Sequence, residues 1–390
     1  MATRTPQCLA KLDRMNRTLR HQEADRVPIS DFFWGAFLTR WREEFGLPAD
    51  ADIYSFYDLD WRVTRSNRDP HIRQFEVLNE NEDEIVVRTG YDAVVRKKFS
   101  YPMPEFVSFD TDTIEKMLAF EFDDPWDPRR YFSAGDNQTA GIGDGFERDT
   151  PPWIDTVKSL YPDFPVYGSV YEGHEALWRI IGSHNVMLWI GLYPDDVGRF
   201  VERILEFDVE CVKAQIKAAG GLLDGFVIWG DVAYKKGMLF SPAYWRKHFK
   251  PGVKAIVDVC HSHNLPVIYH GCGNALKIFD DLIECGIDAY NPLEAKAGLD
   301  VIDLRRRFGH RLAFCGNMDV IAWAAASQDE LQSIVLRKLN AAKGGGFIFQ
   351  SDHSVPNDVP PSSYDYVVRL VRERGVYPLA LGPHDLPDIH

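Results

Sequence analysis

Three side chains of types that bind transition metals follow two successive apolar segments of this sequence. His270 and Cys272 stand at the end of LPVIYHGCG, and Glu294 ends the next such segment, DAYNPLE. Alternate residues of a strand project to the same side, so the imidazole and the thiol can bind one ion together. Imidazole, thiolate and carboxylate suit zinc, which favours tetrahedral coordination. The sequence therefore predicts a zinc site formed by His270, Cys272 and Glu294.

Such a site needs a fourth ligand or an open position. The segment GGFIFQSDH ends in Asp352 and His353, and we expect the fourth ligand to come from this pair. We place Asp352 among the ligands and give His353 a catalytic role, with the reverse assignment left open. The alternative is that His270 is a hydrogen-bonded core histidine and Cys272 an inert buried thiol.

Further polar residues follow other apolar segments and are candidates for catalysis. Asp231 ends GFVIWGD and has four candidate roles. It is a candidate general base, a candidate partner that orients His270, a candidate ligand-binding carboxylate, or a cap for the next loop. Glu172 and His174 follow PVYGSVY, where Glu172 is a catalytic candidate that can shift the titration of His174, a substrate-binding candidate. Helix capping is the alternative role for Glu172.

The segment GNMD offers two more substrate-binding candidates. Asn317 and Asp319 carry side chains that can hydrogen-bond a substrate, and Gly316 permits a close approach of the backbone. A tight turn from strand to helix explains the same residues without a ligand.

These residues need a scaffold that brings distant segments together. From about residue 155 onward, short β-rich segments alternate with helical ones such as residues 241–264 and 327–346, the latter with Ser327 and Glu330 as a capping box. This alternation predicts parallel strands in a (β/α)8 barrel, an α/β fold in which the carboxyl ends of the strands meet at one mouth.

The domain organisation follows from the same pattern. We expect a single domain over residues 1–390, with an N-terminal cap and the first barrel elements in 1–150 and the main barrel units in 151–390. Within the cap, residues 83–110 alternate apolar and polar side chains, as a half-exposed hairpin would.

Composition restricts the partners and the location. The formal net charge of −14 disfavours nucleic acid and anionic membrane surfaces as partners, because both would be repelled. The sequence has no apolar run of about 20 residues and no apolar signal core at its N-terminus, so we expect a cytoplasmic protein. Its six scattered cysteines do not suggest a disulfide framework.

The segments VIYHGCGN, GIDAYNPLEAKAGLD, FGHRLAFCGNMD and GGGFIFQSDHSVP, with the N-terminal NRTLRHQEADRVP, resemble the uroporphyrinogen decarboxylase superfamily over nearly the whole chain. The resemblance implies a (β/α)8 barrel and one of two chemistries: cofactor-free decarboxylation, or zinc-dependent methyl transfer involving corrinoid proteins. Decarboxylases carry an R-x-A-G-R-Y segment where this chain has SDFFWGAFLTRW.

Methyltransferases of the superfamily bind zinc through an H-x-C pair, a later glutamate and a later cysteine. His270, Cys272 and Glu294 match the first three positions, and Asp352 or His353 stands where the cysteine is expected. The resemblance thus implies methyl transfer between a small substrate, with a methoxylated compound as one candidate, and a corrinoid (cobalamin) on a separate carrier protein. The chain itself lacks the D-x-H-x-x-G motif of such carriers.

In this mechanism Asp231 or His353 handles the proton. Two rival functions stay open. The first is cofactor-free decarboxylation of uroporphyrinogen or a related aromatic or pyrrolic acid, in which Asp231 stabilises a protonated ring. The second is a barrel that binds zinc or a small molecule without turnover.

Overall fold

The computed structural model describes residues 3–73, 75–101, 103–134, 150–387 and 389 of the chain. Its strands within these ranges are β1 (Arg62–Val63), β2 (Glu76–Glu80), β3 (Glu84–Arg88), β4 (Ala93–Lys98), β5 (Glu105–Phe109), β6 (Val166–Tyr171), β7 (Gly225–Trp229), β8 (Ala233–Tyr234), β9 (Gly237–Met238), β10 (Val267–His270), β11 (Ala289–Asn291), β12 (Ala313–Met318) and β13 (Phe347–Ser351).

The α-helices within the same ranges are α1 (Pro6–Leu19), α2 (Gly35–Glu44), α3 (Ile53–Phe56), α4 (Ile114–Leu118), α5 (Arg129–Phe132), α6 (Trp153–Leu160), α7 (Gly173–Ile181), α8 (Ser183–Leu192), α9 (Pro194–Ala219), α10 (Pro242–His248), α11 (Lys250–Ser262), α12 (Phe279–Cys285), α13 (Val301–Phe308), α14 (Val320–Ala325), α15 (Gln328–Leu339) and α16 (Pro361–Arg374). No helix in the described part of the chain is both long enough and apolar enough to span a membrane.

The central sheet is parallel and has the order β1-β6-β7-β10-β11-β12-β13. Helices connect its successive strands from β6 onward, so each connection crosses over one side of the sheet. This arrangement confirms the predicted α/β barrel class, and the strands predicted from the apolar segments are β6, β7, β10, β11, β12 and β13.

A short segment joins the two edges of this sheet. The Phe349 N–H of β13 donates to the Pro28 carbonyl, and the Ser30 N–H donates back to the Phe349 carbonyl. On the other side, the Asp60 N–H, just before β1, donates to the Ile29 carbonyl. Residues 28–30 thus take the place of an eighth strand and close the sheet into a barrel.

Apolar side chains fill the barrel interior below its mouth. The cluster contains residues from six strands of the central sheet, from α1 and from the position before β1: Met15, Leu19, Trp61, Tyr167, Val227, Ile268, Ala289, Ala313, Cys315 and Ile348. Strand residues alternate in direction, so the next inward positions lie two residues further along each strand, toward its carboxyl end. Polar or aromatic residues stand at these positions. Trp229, His270 and Asn291 occupy three of these positions.

The cap contains an antiparallel sheet of order β2-β3-β4-β5. The predicted alternation holds in β3 and β4, where buried and partly buried residues alternate. The predicted segment 83–110 forms three strands, β3, β4 and β5, rather than a two-stranded hairpin, and the fully exposed β2 pairs with it from outside that range. An exposed strand has no apolar face, so its sequence did not reveal it. Residues 135–149 of the predicted cap lie outside the described residues, and the single-domain boundaries stay a prediction.

One predicted helix is divided in two. The segment 241–264 forms α10 and α11, separated at Phe249, because Pro251 lacks an N–H and its ring disfavours a continuous helix. The predicted capping box is confirmed: the Ser327 side chain accepts from the Glu330 N–H, and the Glu330 carboxylate accepts from the Ser327 N–H.

Candidate metal centre

The His270 imidazole is oriented by Asn291 on the neighbouring strand. These two residues are register partners of β10 and β11, and Asn291 Oδ1 lies 2.5 Å from His270 Nδ1. Asn291 Nδ2 donates to the Cys315 carbonyl at 3.1 Å, which fixes the amide so that its oxygen faces the ring. His270 therefore carries its proton on Nδ1 and its lone pair on Nε2. Burial lowers the pKa of His270 to about 4, so the ring is neutral and able to bind a cation.

The Cys272 thiol lies beside the free nitrogen of His270. Its Sγ is 3.6 Å from His270 Nε2, and two donors of one tetrahedral zinc, at about 2.1 and 2.3 Å from it, stand about 3.6 Å apart. The loop reaches this position through Gly273, whose φ is +76° and where a Cβ would lie 2.7 Å from the Ala233 and Tyr234 backbone. The Cys272 N–H donates to Asp231 Oδ1 at 2.7 Å.

Two groups of candidate ligands meet at this thiol. Among the described residues, Asp231, His270 and Cys272 form one group, and Cys272, Glu294 and His353 form the other, each with donor atoms within 4.8 Å of one another. Glu294 is buried and follows β11 after a cis Asn291–Pro292 peptide bond. The Cys272 thiol thus lies near each of the other two predicted ligands, His270 in one group and Glu294 in the other.

His353 takes the position that the sequence prediction gave to Asp352. Its Nδ1 lies 3.4 Å from the Ser354 carbonyl, an acceptor, so the lone pair is on Nε2. Burial, together with the positive charge of Lys296, lowers the pKa of His353 and keeps the ring neutral. A neutral histidine in the group with Cys272 and Glu294 has the properties of a metal ligand.

Asp352 has a structural position instead. Its side chain is fully buried, with Oδ2 accepting from the Ala295 N–H at 2.9 Å and Oδ1 accepting from the Val320 N–H at 3.0 Å. Both oxygens are therefore engaged with the loops after β11 and β12. Successive side chains point in different directions, and His353 is the residue of this pair that lies with the thiol.

The structure also corrects the substrate-binding prediction for Asn317 and Asp319. Asn317 is fully buried, donates to the carbonyls of Leu293 and Leu299 at 2.7 Å, and accepts from Val301 N–H and Lys338 Nζ. Asp319 is the N-cap of α14, where it accepts from two backbone N–H groups. Asn317 thus holds the loop that carries Glu294, and Asp319 caps its own helix.

Glu172 is buried, and its carboxylate hydrogen-bonds the backbone of His174. Its Oε1 accepts from Trp245 Nε1 at 2.6 Å and from the Tyr269 hydroxyl at 3.2 Å, and its side chain is fully buried. Burial raises the pKa of Glu172 to about 8. His174 is buried against Phe240 and hydrogen-bonds the Asp231 backbone, so it supports the Asp231 loop.

Negative groups crowd the Cys272 thiol. Burial, followed by the charges of Asp231 and Glu294, raises the pKa of Cys272 well above its usual value. Burial and the charge of Glu175 raise the pKa of Asp231 to about 7. A divalent cation between these groups would offset their mutual repulsion, and the N, S and O donor set suits zinc. The residues present therefore fit a zinc ion.

Sequence reasoning missed Asn291, the residue that orients the candidate ligand His270. Asn291 lies within DAYNPLE, and its position beside His270 depends on the register between β10 and β11. It also missed the aromatic wall: the Trp229 ring lies 4.6 Å from the His270 ring and 5.4 Å from Phe32. The inward alternation along β7 is a signal that could have identified Trp229, whereas nothing in the sequence pairs Asn291 with His270.

Comparisons with known proteins agree with this architecture. Residues 152–374 match the family model described as Uroporphyrinogen decarboxylase (URO-D). Among the similar curated proteins, the uroporphyrinogen decarboxylase of Actinobacillus pleuropneumoniae is 28% identical over 184 residues, 46% of this chain and 49% of that protein. The uroporphyrinogen decarboxylase of Thermus thermophilus is also 28% identical, over 52% of this chain and 50% of that protein. The chain thus spans about half the length of these relatives.

The fold is similar to that of a solved structure, a methyltransferase from Methanosarcina mazei. The TM-score is 0.62 at 15% sequence identity, and the match covers 93% of this chain and 98% of the other. At this identity the likeness concerns the fold alone, and the reaction has to be argued from the site.

Proposed function

This chain belongs to the uroporphyrinogen decarboxylase family, and from that premise we propose that it is a zinc-dependent methyltransferase. It would move a methyl group between a small substrate and a corrinoid carried by a separate protein. The observation that carries the proposal is the arrangement of His270, Glu294 and His353 around the Cys272 thiol.

The residues of this chain divide into ligands and supports. His270, Cys272, Glu294 and His353 would hold the zinc, and Asn291 would keep His270 in the tautomer that binds it. When bound, zinc supplies a Lewis acid that polarises a substrate heteroatom and lowers its pKa. Four protein ligands leave no free position, so substrate access requires one of the weaker donors to yield or the coordination to expand.

Asp231 is the candidate for proton handling. Its side chain is partly buried, lies beside the Cys272 backbone and 3.9 Å from His270 Nε2, and has a raised pKa of about 7. A carboxyl group with this pKa can hold or release a proton near neutral pH. Asn291 has taken the role of orienting His270, which leaves Asp231 available for the substrate.

One thiolate among the ligands favours oxygen or nitrogen substrates. A site with a single thiolate is less electron-rich than one with two, so its zinc would be a stronger Lewis acid. We therefore propose O-demethylation of a methoxylated compound as the reaction. The corrinoid carrier would dock where the strand ends open, because the methyl group has to be transferred there.

Cofactor-free decarboxylation is the second candidate, favoured by the family model and by the names of the similar curated proteins. Under this alternative, Asp231 would stabilise a protonated ring intermediate and the His270–Cys272 pair would shape the pocket. It requires activity without metal.

Metal analysis of purified protein tests the proposal. We expect about one zinc per chain in the wild type and little in His270→Ala and Cys272→Ala. The matched control is Cys260→Ala, which removes a buried thiol of α11. Zinc-loaded protein should demethylate a methoxylated substrate only in the presence of a corrinoid carrier. Wild-type protein that binds no zinc when purified without chelators, and that decarboxylates uroporphyrinogen, would contradict the proposal.

A further inference from the structure

One peptide unit precedes the Cys272 side chain, and both of its polar groups are hydrogen-bonded. It joins Gly271 to Cys272 in the loop after β10, and these two residues belong to no helix or strand. Its N–H donates to Asp231 Oδ1 at 2.7 Å, and its carbonyl accepts from the Tyr290 hydroxyl at 2.8 Å. Because a peptide unit is planar, partners on its two opposite edges fix its orientation and the point from which the thiol projects.

The two partners of this peptide unit differ in how firmly they are held. Asp231 lies on the loop after β7 and is partly exposed. Tyr290 lies on β11 and is fully buried, and its ring packs against those of Tyr269, at 5.7 Å, and Phe279, at 4.3 Å. Burial, followed by the charge of Cys272, raises the pKa of Tyr290 well above its usual value, so the hydroxyl keeps its proton. Tyr290 is therefore the rigid partner and a permanent donor.

Room for this hydroxyl depends on the missing side chain at position 271. A Cβ on Gly271 would lie 2.7 Å from the Tyr290 hydroxyl oxygen and 3.0 Å from the Gly230 carbonyl oxygen. Gly271 has no left-handed φ, so the glycine provides space for the hydroxyl and not freedom for the backbone.

A second tyrosine reaches the neighbouring loop in the same way but with a weaker contact. Tyr269 is the register partner of Tyr290 on β10, and its hydroxyl lies 3.2 Å from the Gly230 carbonyl oxygen. It lies equally far, 3.2 Å, from Glu172 Oε1. A phenol has one proton to donate, so these two acceptors share it. The shorter bond of Tyr290 to Gly271 is therefore the stronger anchor of the two.

We propose that Tyr290 is a positioning residue for the metal centre: its hydroxyl holds the Gly271–Cys272 peptide unit so that the thiol lies beside His270 Nε2. The distance from Cys272 Sγ to that nitrogen, 3.6 Å, is the separation of two donors to one zinc. A tilt of the peptide unit would change this distance. The inference rests on the proposed function, because it concerns the zinc ligands named there, and Tyr290 acts on them through the backbone.

Metal binding to the full-length Tyr290→Phe variant tests this role. The substitution removes one hydroxyl and keeps the ring in its packing. Zinc affinity, measured by competition with a chromophoric chelator, should fall about tenfold, the lower end of the range for residues that orient a metal ligand. With Co²⁺ as the probe, the thiolate-to-cobalt charge-transfer band should weaken. A residue that only supports the fold would move neither quantity.

The matched control is Tyr131→Phe. It removes the hydroxyl of another buried tyrosine, which donates to the Pro125 carbonyl in the cap at 2.6 Å. Both variants should melt at a lower temperature than the wild type, but only Tyr290→Phe should alter metal binding. Unchanged zinc affinity and an unchanged cobalt spectrum in Tyr290→Phe, or an equal loss in both variants, would overturn the proposal.

A double substitution tests whether the hydroxyl itself is responsible. Gly271→Ala should weaken zinc binding, because its Cβ displaces the Tyr290 hydroxyl, the nearest atom to it. The same substitution should cost less zinc affinity in the Tyr290→Phe background, since that atom is already gone. Additive losses would contradict the proposed role of the hydroxyl.

Alkylation of Cys272 by iodoacetamide in metal-free protein separates this inference from the proposed function. The other five cysteines are buried, so Cys272 is the thiol that reacts first. Tyr290→Phe should raise its rate at least about threefold over wild type and Tyr131→Phe, because a loop that has lost an anchor opens more often. A wild type that binds no metal, together with this rate increase, supports the positioning role and counts against the proposed function alone. An unchanged rate would overturn the positioning role.

Discussion

Replacement of Asn291 by alanine should weaken zinc binding without removing any ligand. In the structure the Asn291 amide accepts from His270 Nδ1 at 2.5 Å and donates to the Cys315 carbonyl at 3.1 Å, and the residue is 1% exposed. Without it, the ring can rotate and can carry its proton on Nε2, the atom that binds the metal.

The expected magnitude follows from the role of such partners. Loss of a residue that orients a ligand costs about 10–100-fold in metal affinity. This corresponds to about 1.4–2.7 kcal/mol. The buried groups left unpaired should also lower the free energy of unfolding by about 1–3 kcal/mol, which leaves most of the protein folded.

A competitive titration of zinc against a chromophoric chelator measures the affinity, and a thermal melt checks the fold. Asn291→Asp keeps an acceptor for His270 Nδ1 and should retain more affinity than Asn291→Ala. Asn185→Ala, which removes a side chain that donates to the Ile181 carbonyl on α7, is the control remote from the metal ligands. Equal zinc affinity in Asn291→Ala and wild type would refute the argument that this amide sets the tautomer of His270.

Three further predictions follow from individual side chains. His353→Ala should lose zinc, whereas Asp352→Asn should keep zinc and melt at a lower temperature. Metal analysis measures the zinc content and calorimetry the melting temperature. Zinc loss in Asp352→Asn alone would show that Asp352, and not His353, is the ligand. Asn317→Ala should lower the free energy of unfolding by about 2–4 kcal/mol, because it leaves the buried Lys338 ammonium and two carbonyls unpaired, while the zinc stoichiometry of folded protein stays unchanged. The pKa of Glu172, raised to about 8 by burial, means that the folded protein retains a proton that the unfolded chain releases above its ordinary pKa near 4.5. The free energy of unfolding should therefore decrease as pH rises from about 5 to 8, and Glu172 should contribute at most about 1.4 kcal/mol per pH unit to this decrease. Glu172→Gln should remove that contribution, which denaturant titrations at several pH values measure.

The sequence determined the barrel and the main chemical types of the site. Apolar segments that end in His270, Cys272, Glu294 or His353 can be recognised from the sequence alone, because a buried parallel strand must be apolar and its carboxyl end opens to the mouth of the barrel. The alternation of these segments with helices predicted the parallel sheet. An exposed strand such as β2 has no such pattern, and only its pairing with β3 revealed it.

The tertiary structure decided which polar residues meet. Asp352 and His353 are adjacent in sequence, yet the carboxylate binds two backbone N–H groups while the imidazole joins Cys272 and Glu294. Glu172 and Asn317 also follow or end strands, but packing buries them among protein partners. The contacts of Asn291 with His270 and of Tyr290 with Gly271 depend on the register and closure of the barrel. Residue types are local properties of a chain, whereas the direction and partners of a side chain are fixed only when strands from distant segments are placed side by side.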